Sequence, residues 1–198
     1  MRKGLVIGVS GASGVVYTYA LLNNIDLLRK YYERIYVVET RFARKIAEHE
    51  IGTTISTIAQ RRGIDVFDED DMDSILASSS NLINHNMIIV PCSLNTVAKL
   101  AHGIQDNLLL RTASSIIRMK GKLIIVFRET PLSLIDLENL AKLARIGAII
   151  LPASPAFYHK PVEIKDLIDF IVGKILDVLG IEHNIYRRWR GHLNSSIS

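Results

Sequence analysis

Two kinds of hydrophobic pattern alternate along this chain. Five short segments are apolar almost without a break: Leu5–Ser10, Ile35–Glu39, Met87–Val90, Leu123–Phe127 and Ala148–Leu151. Runs of this length, bounded by turn residues, predict strands buried on both faces. Between them the apolar residues recur at helical spacing. One helix is predicted from Val15 to about Leu28, and a charged helical stretch over 41–62 has Ala43, Ile46, Ala47 and Ile51 as its inner stripe. A helix through Val97, Ala98, Leu100 and Ala101 stops at Gly103. The next starts at Gln105-Asp106-Asn107, carries Leu108, Leu109, Ala113, Ile116 and Ile117, and ends at Gly121. Leu134, Leu137, Leu140, Ala141 and Ala144 mark one side of another, capped by Ser133 with Asp136 in its first turn. The last has Leu167, Phe170, Ile171, Ile175 and Val178 inside and stops at Gly180. Asp65 to Asp73 is acidic and reads as a surface loop, and Ala77-Ser78-Ser79-Ser80-Asn81 as a linker or an arm over a pocket.

Strands that alternate with helices predict an α/β fold with one central parallel sheet, covered on both faces. The chain has 198 residues, 48% of them hydrophobic, enough for one well-filled core rather than two. The domain is expected over 1–180. Residues 181–198 form a basic aromatic tail containing Tyr186-Arg187-Arg188-Trp189-Arg190, which has no evident home in one domain and is expected to pack on a neighbouring subunit of a large homo-oligomer.

Composition narrows the classes. No apolar run approaches the roughly 20 residues of a membrane span, and the N-terminus leads into a strand without the pattern of a signal peptide. The single cysteine, Cys92, fits a reducing cytoplasm. Six histidines at 49, 85, 102, 159, 183 and 192 include no pair at helical spacing, so no metal site on one helix is expected. The net charge of +4 is mild and lacks the aromatic-plus-basic patterns of nucleic-acid modules.

The unusual polar residues fall where strands end. Pro91 is expected to end the third strand, because it has no N–H for the ladder. Ser93, Asn95 and Thr96 follow at the mouth of a helix, as a cap or as donors to an anion. Gly8-x-x-Gly11-x-x-Gly14 is a glycine turn between strand and helix, with a spacing that is not the dinucleotide fingerprint. Glu39 stands where an acid could touch a ribose, and Thr40 and Arg41 look more like phosphate ligands. Arg128-Glu129-Thr130-Pro131 and Pro155-Ala156-Phe157-Tyr158 leave the last two strands. Ligands of open parallel sheets sit beyond the carboxyl ends of the strands. Ser13, Thr40, Ser93 with Thr96, Arg128 with Glu129, and Tyr158 all fall there, which predicts a ligand site.

These residues carry a resemblance. Gly11-Ala12-Ser13-Gly14, Pro91-Cys92-Ser93-Leu94-Asn95-Thr96, Ala101-His102-Gly103 with Asp106-Asn107-Leu108, Arg128-Glu129-Thr130-Pro131-Leu132, Pro155-Ala156-Phe157-Tyr158, Gly173-Lys174 with Leu176-Asp177, and Arg187-Arg188-Trp189 resemble the flavin prenyltransferases, the UbiX/Pad1 family, over essentially the whole chain. The resemblance implies a flavodoxin-like, Rossmann-type three-layer sandwich that binds reduced FMN and needs no metal. It further implies that C1 of dimethylallyl phosphate alkylates flavin N5, and that a bond to C6 closes a ring. The product serves a UbiD-type decarboxylase, and members assemble as dodecamers with the pocket between subunits.

Carried onto this chain, Gly11, Ala12, Ser13 and Thr40 hold the flavin, Ser93, Leu94, Asn95 and Thr96 line its phosphate or ring, and Arg128 contacts it. Tyr158 and Lys174 hold the prenyl phosphate, with Arg118 reaching it from a neighbouring subunit. Glu129, Ser13 and Trp189 are the catalytic candidates. Glu129 handles protons beside the ring, and Trp189 offers a π face to a dimethylallyl cation. FMN rather than NAD or FAD is expected, because the turns offer one phosphate's worth of donors. The chain departs from the family in Asn95 for the usual Lys, Lys174 for an Arg, Arg118 for a Lys, and Ala77-Ser78-Ser79-Ser80 for Ala-Ser-Gly-Ser. The basic exchanges keep charge but change geometry, which leaves mono- or diphosphate open as the donor. Ser-x-Asn-Thr also occurs in flavin-dependent cysteine decarboxylases, the alternative reading together with a redox flavoprotein. Against it, the first helix, Val15-Val16-Tyr17-Thr18-Tyr19-Ala20, has no His.

Overall fold

The computed structural model describes residues 3–189. Arg190 and the rest of the predicted tail, 191–198, lie outside the described residues. Six strands, β1 (Gly4–Val9), β2 (Arg34–Glu39), β3 (Asp65–Asp68), β4 (His85–Cys92), β5 (Leu123–Phe127) and β6 (Ile149–Pro152), form one parallel sheet in the order β3-β2-β1-β4-β5-β6. The helices are α1 (Val15–Asn23), α2 (Ile25–Arg29), α3 (Arg41–Ile51), α4 (Ile55–Arg61), α5 (Leu94–Ala101), α6 (Leu108–Arg118), α7 (Leu134–Arg145) and α8 (Ile164–Leu179).

Strand alternation separates the core into two layers. Leu5, Ile7, Val9, Val37, Ile88 and Val90 point to the face covered by α1 to α4 and α8. Val6, Val38, Met87, Ile89 and Ile125 point to the face covered by α5, α6 and α7. Both faces are dry, so the strands read as unbroken apolar runs, and each fully buried aliphatic contributes about 1.5–3 kcal/mol. This is the expected three-layer α/β sandwich. Among the described residues no helix is long and apolar enough to cross a membrane.

Several sequence expectations are corrected. Asp65–Asp68 is not a loop but the edge strand β3, paired with Tyr36–Glu39. Pro91 does not end its strand. β4 continues to Cys92 through an irregularity between Ile89 and Cys92, where the missing N–H needs no ladder partner. The stretch 41–62 is two helices, separated at Gly52, whose φ of 71° is left-handed. Residues 77–81 are two short 3₁₀ turns, Ile75–Ala77 and Ser79–Leu82, pinned to α6 where Arg111 donates to Ala77 O and Thr112 to Leu76 O. The apolar stripe of α7 faces two ways. Leu140 and Leu143 are buried, whereas Leu134 and Leu137 are exposed.

Candidate active site

The chain places β4 beside β1 although two strands, β2 and β3, and their helices intervene. The loops leaving these two strands therefore part to opposite faces and open a crevice at their carboxyl ends. Ser10 closes its floor. Its N–H and hydroxyl both donate to Pro91 O at 3.2 Å, and its Oγ accepts from Ser93 N at 2.8 Å. Ser93 caps α5, accepting from Thr96 N at 3.2 Å, and its Oγ lies 3.0 Å from Thr96 Oγ1. Thr40 caps α3, accepting from Ala43 N at 3.2 Å. Both caps satisfy donors that a helix start leaves unpaired. With Gly11, Phe42, Asn95, Lys99, Asn107 and Glu69 these residues line a cleft of about 350 Å³. A side chain at Gly11 would bring its Cβ to 2.8 Å from Phe42 Cβ, so glycine is what lets α3 approach this turn.

Glu39 does not reach the cleft. It is fully buried, and its carboxylate accepts from Ile55 N at 3.0 Å and Ser56 N at 2.8 Å, the first turn of α4. The acid in the cleft is instead Glu69, which accepts from Arg41 N at 2.8 Å and Asn107 Nδ2 at 3.1 Å.

The glycine turn is organised by a residue that the sequence pattern did not single out. Glu50, at the end of α3, accepts from Gly14 N at 3.1 Å and Val15 N at 2.9 Å. A carboxylate thus already occupies the positive end of α1. Arg128 crosses to the same turn and donates from Nε to Ser13 O at 3.2 Å. Burial raises the Tyr17 phenol beside them; Arg128 opposes that shift and Glu50 adds to it. Arg128 and Glu129 approach only to 4.0 Å, with both side chains more than a third exposed, so they are not a structural ion pair. Glu129 Oε1 accepts from Thr130 N at 3.0 Å and otherwise faces out.

A second cluster stands at the end of β6 and along α8. The Tyr158 ring meets Trp189 edge-on at 5.8 Å and Phe170 at 6.0 Å. Lys174 Nζ lies over the rings of Phe170, at 5.4 Å, and Tyr186, at 5.2 Å. Hydrogen bonding to Tyr186 raises the Lys174 ammonium pKa, outweighing the opposing effect of burial. Tyr158, Lys174 and Trp189 thus fall in one cluster around Phe170 and Tyr186. Arg118 is not among them. It closes α6, bonded to Ser115 Oγ at 3.0 Å, just before the chain enters β5, and so lies at the amino ends of the strands, whereas Tyr158 follows the carboxyl end of β6. Within one chain it cannot share a ligand with Tyr158. Among the described residues no group of His, Cys, Asp and Glu is placed to hold a metal ion.

Residues 1–179 match the flavoprotein family. The chain is 43% identical over 190 residues to the flavin prenyltransferase UbiX of Saccharolobus solfataricus, covering 96% of this chain and 93% of that one. The chain belongs to the flavin prenyltransferase family. Two solved structures extend the likeness to three dimensions. AnUbiX (PadA1), in complex with FMN and dimethylallyl pyrophosphate, superposes with a TM-score of 0.87 at 33% identity, over 96% of this chain and 99% of that one. The dodecameric FMN-dependent UbiX-like decarboxylase of Escherichia coli O157:H7 also has a TM-score of 0.87 at 33% identity, over 95% and 100%. The Rossmann-type reading of the fold, a three-layer sandwich with a central parallel sheet, is thus borne out. This family member carries the strand order 3-2-1-4-5-6 of dinucleotide-binding sheets, so its ligand preference resides in the turns and not in the topology.

Proposed function

We propose that this prenyltransferase joins the dimethylallyl group of dimethylallyl phosphate to N5 and C6 of reduced FMN, and that the product serves a UbiD-type decarboxylase. The observation that carries this is the pairing of two sites at one sheet edge: a cleft of small hydroxyls and helix starts, and a cluster holding a fixed cation among aromatic faces. Gly11, Ala12, Ser13, Thr40 and Ser93 to Thr96 hold the flavin as co-substrate, with Arg128 over the turn. The proposed assembly is a homo-oligomer, a dodecamer like that of the E. coli relative, in which Arg118 meets another subunit's site.

In the first bond, C1 leaves its phosphate oxygen and joins N5, and the N5 proton passes to the departing phosphate. Lys174 and the Tyr158 hydroxyl hold the departing phosphate, and Trp189 offers its ring to the allylic cation. In the second, C3 joins C6; C2 takes up one proton and C6 releases one. Glu129, exposed and weakly paired, is the carboxylate to accept the C6 proton. No step calls on a metal ion.

Anaerobic incubation with reduced FMN and dimethylallyl monophosphate, followed by mass spectrometry of the flavin, tests this. A flavin heavier by C₅H₈ is expected, and FMN should bind more tightly than NAD or FAD. An unchanged flavin after many turnovers' time would refute the proposal.

A further inference from the structure

On the footing of the prenyl transfer proposed above, we infer that Asp177 is a positioning residue for the prenyl-phosphate site, setting Lys174 and, through the tail, Trp189. Asp177 lies three residues after Lys174 on α8, so both project from one face of the helix. Its carboxylate is a hub. Oδ1 takes His183 Nε2 at 3.0 Å and Arg188 Nη2 at 2.5 Å; Oδ2 takes the Tyr186 hydroxyl at 2.6 Å and stands 3.7 Å from Lys174 Nζ. The ring orientation of His183 is fixed too. Nδ1 accepts from Ile185 N at 3.2 Å, which leaves Nε2 as the protonated nitrogen facing Asp177.

Three of these partners belong to the segment that follows α8. They fold it back along the helix, and Gly173 permits the approach: a Cβ there would lie 2.2 Å from Tyr186 Cδ1. Tyr186 then serves twice, donating its hydroxyl to Asp177 and giving Lys174 one of its two aromatic faces. Arg188 fixes the chain one residue before Trp189, whose ring reaches Tyr158. Burial would raise the Asp177 carboxyl, but the hydrogen bonds from Arg188, Tyr186 and His183 bring it down to about 2, so the hub is anionic throughout the neutral range. An anion with its acceptor sites filled does not bind a phosphate. Its effect on the reaction runs through the lysine it restrains, a long side chain with much rotamer freedom to lose.

A double-mutant cycle with an independent probe tests this. In Asp177→Asn, kcat/KM for dimethylallyl monophosphate should fall about 10- to 30-fold while FMN affinity stays within about 2-fold. In a Lys174→Met background, which removes the group acted upon, the same change should cost less than about 3-fold. The chain has one tryptophan. Acrylamide quenching of Trp189 in the flavin-free protein should rise in Asp177→Asn and not in Lys174→Met. Equal losses in both backgrounds, unchanged quenching, or FMN affinity falling in parallel would each overturn the positioning role. A wild type that gives no prenylated flavin would overturn the prenyl-transfer proposal and this inference with it, whereas additive losses in an active wild type would overturn this inference alone.

Discussion

The cleft at the ends of β1 and β4 and the cluster along α8 are built in opposite ways. The cleft uses backbone amides, short hydroxyls and helix caps fixed by adjacent strands, so its geometry is that of the sheet. The α8 cluster uses long or flexible side chains and a returning segment, held by one carboxylate and a missing Cβ. Rigidity is inherited in the first case and assembled in the second. A site that must stay still for a flat ring suits the first. One that must grip a phosphate and then release it suits the second.

Three measurements would sharpen or break this contrast. The largest effect is expected at Cys92, beneath the cleft. Burial pushes its thiol up to about 12, against a small opposing hydrogen bond with Ser10. At pH 8 the native thiol should alkylate roughly 10³-fold more slowly than a free cysteine, since only thiolate reacts. Fast labelling would mean that the end of β4 opens and the cleft is not inherited from the sheet.

Next comes Glu129→Gln, which should keep FMN bound and form the N5 bond, yet slow ring closure by about 10²-fold or more. A time course read by absorbance and mass should then show flavin carrying the prenyl group at N5 alone. If no such species builds up, Glu129 is not the base.

The smallest effect concerns the hub. The ordinary value of an Asp carboxyl, 3.8, is lowered to about 2 at Asp177 in the folded chain. A depressed carboxyl lends stability above its unfolded value and loses it as pH falls through its folded one. Wild type should therefore exceed Asp177→Asn by about 1–2 kcal/mol near pH 7, a figure reduced for partial exposure. The gap should close as pH falls from about 4 to 2. Paired denaturation curves at the two ends of that range decide it, and a gap independent of pH would deny the carboxylate its role.

Most of the sheet was legible because its central strands are dry on both sides, which leaves a mark that five apolar runs carry openly. β3 left no such mark. As an edge strand reading Asp65-Val66-Phe67-Asp68 it places acids at both ends, a pattern a surface loop shares. Caps such as Ser93, Asn107 and Ser133 could be read because their partners lie three residues away. Glu50, Glu69 and Glu39 could not, because their partners are 16 to 38 residues distant and nothing local distinguishes a bonded carboxylate from a solvated one. The same holds for Tyr158, Lys174 and Trp189. Only the family resemblance singles them out in the sequence, and the rings and Asp177 bring them together in space.

Gly173 has a bearing on how this helix tolerates change. In the interior of an α-helix, alanine in place of glycine ordinarily adds about 1 kcal/mol of stability. α8 forgoes that gain, because the added methyl would collide with the ring of Tyr186. In a library screened for folding, alanine there should come out near neutral, the helix gain offset by the displaced Tyr186, whereas one screened for turnover should find the position nearly invariant. The helix retains a local weakness so that a distant segment can lie flat against it.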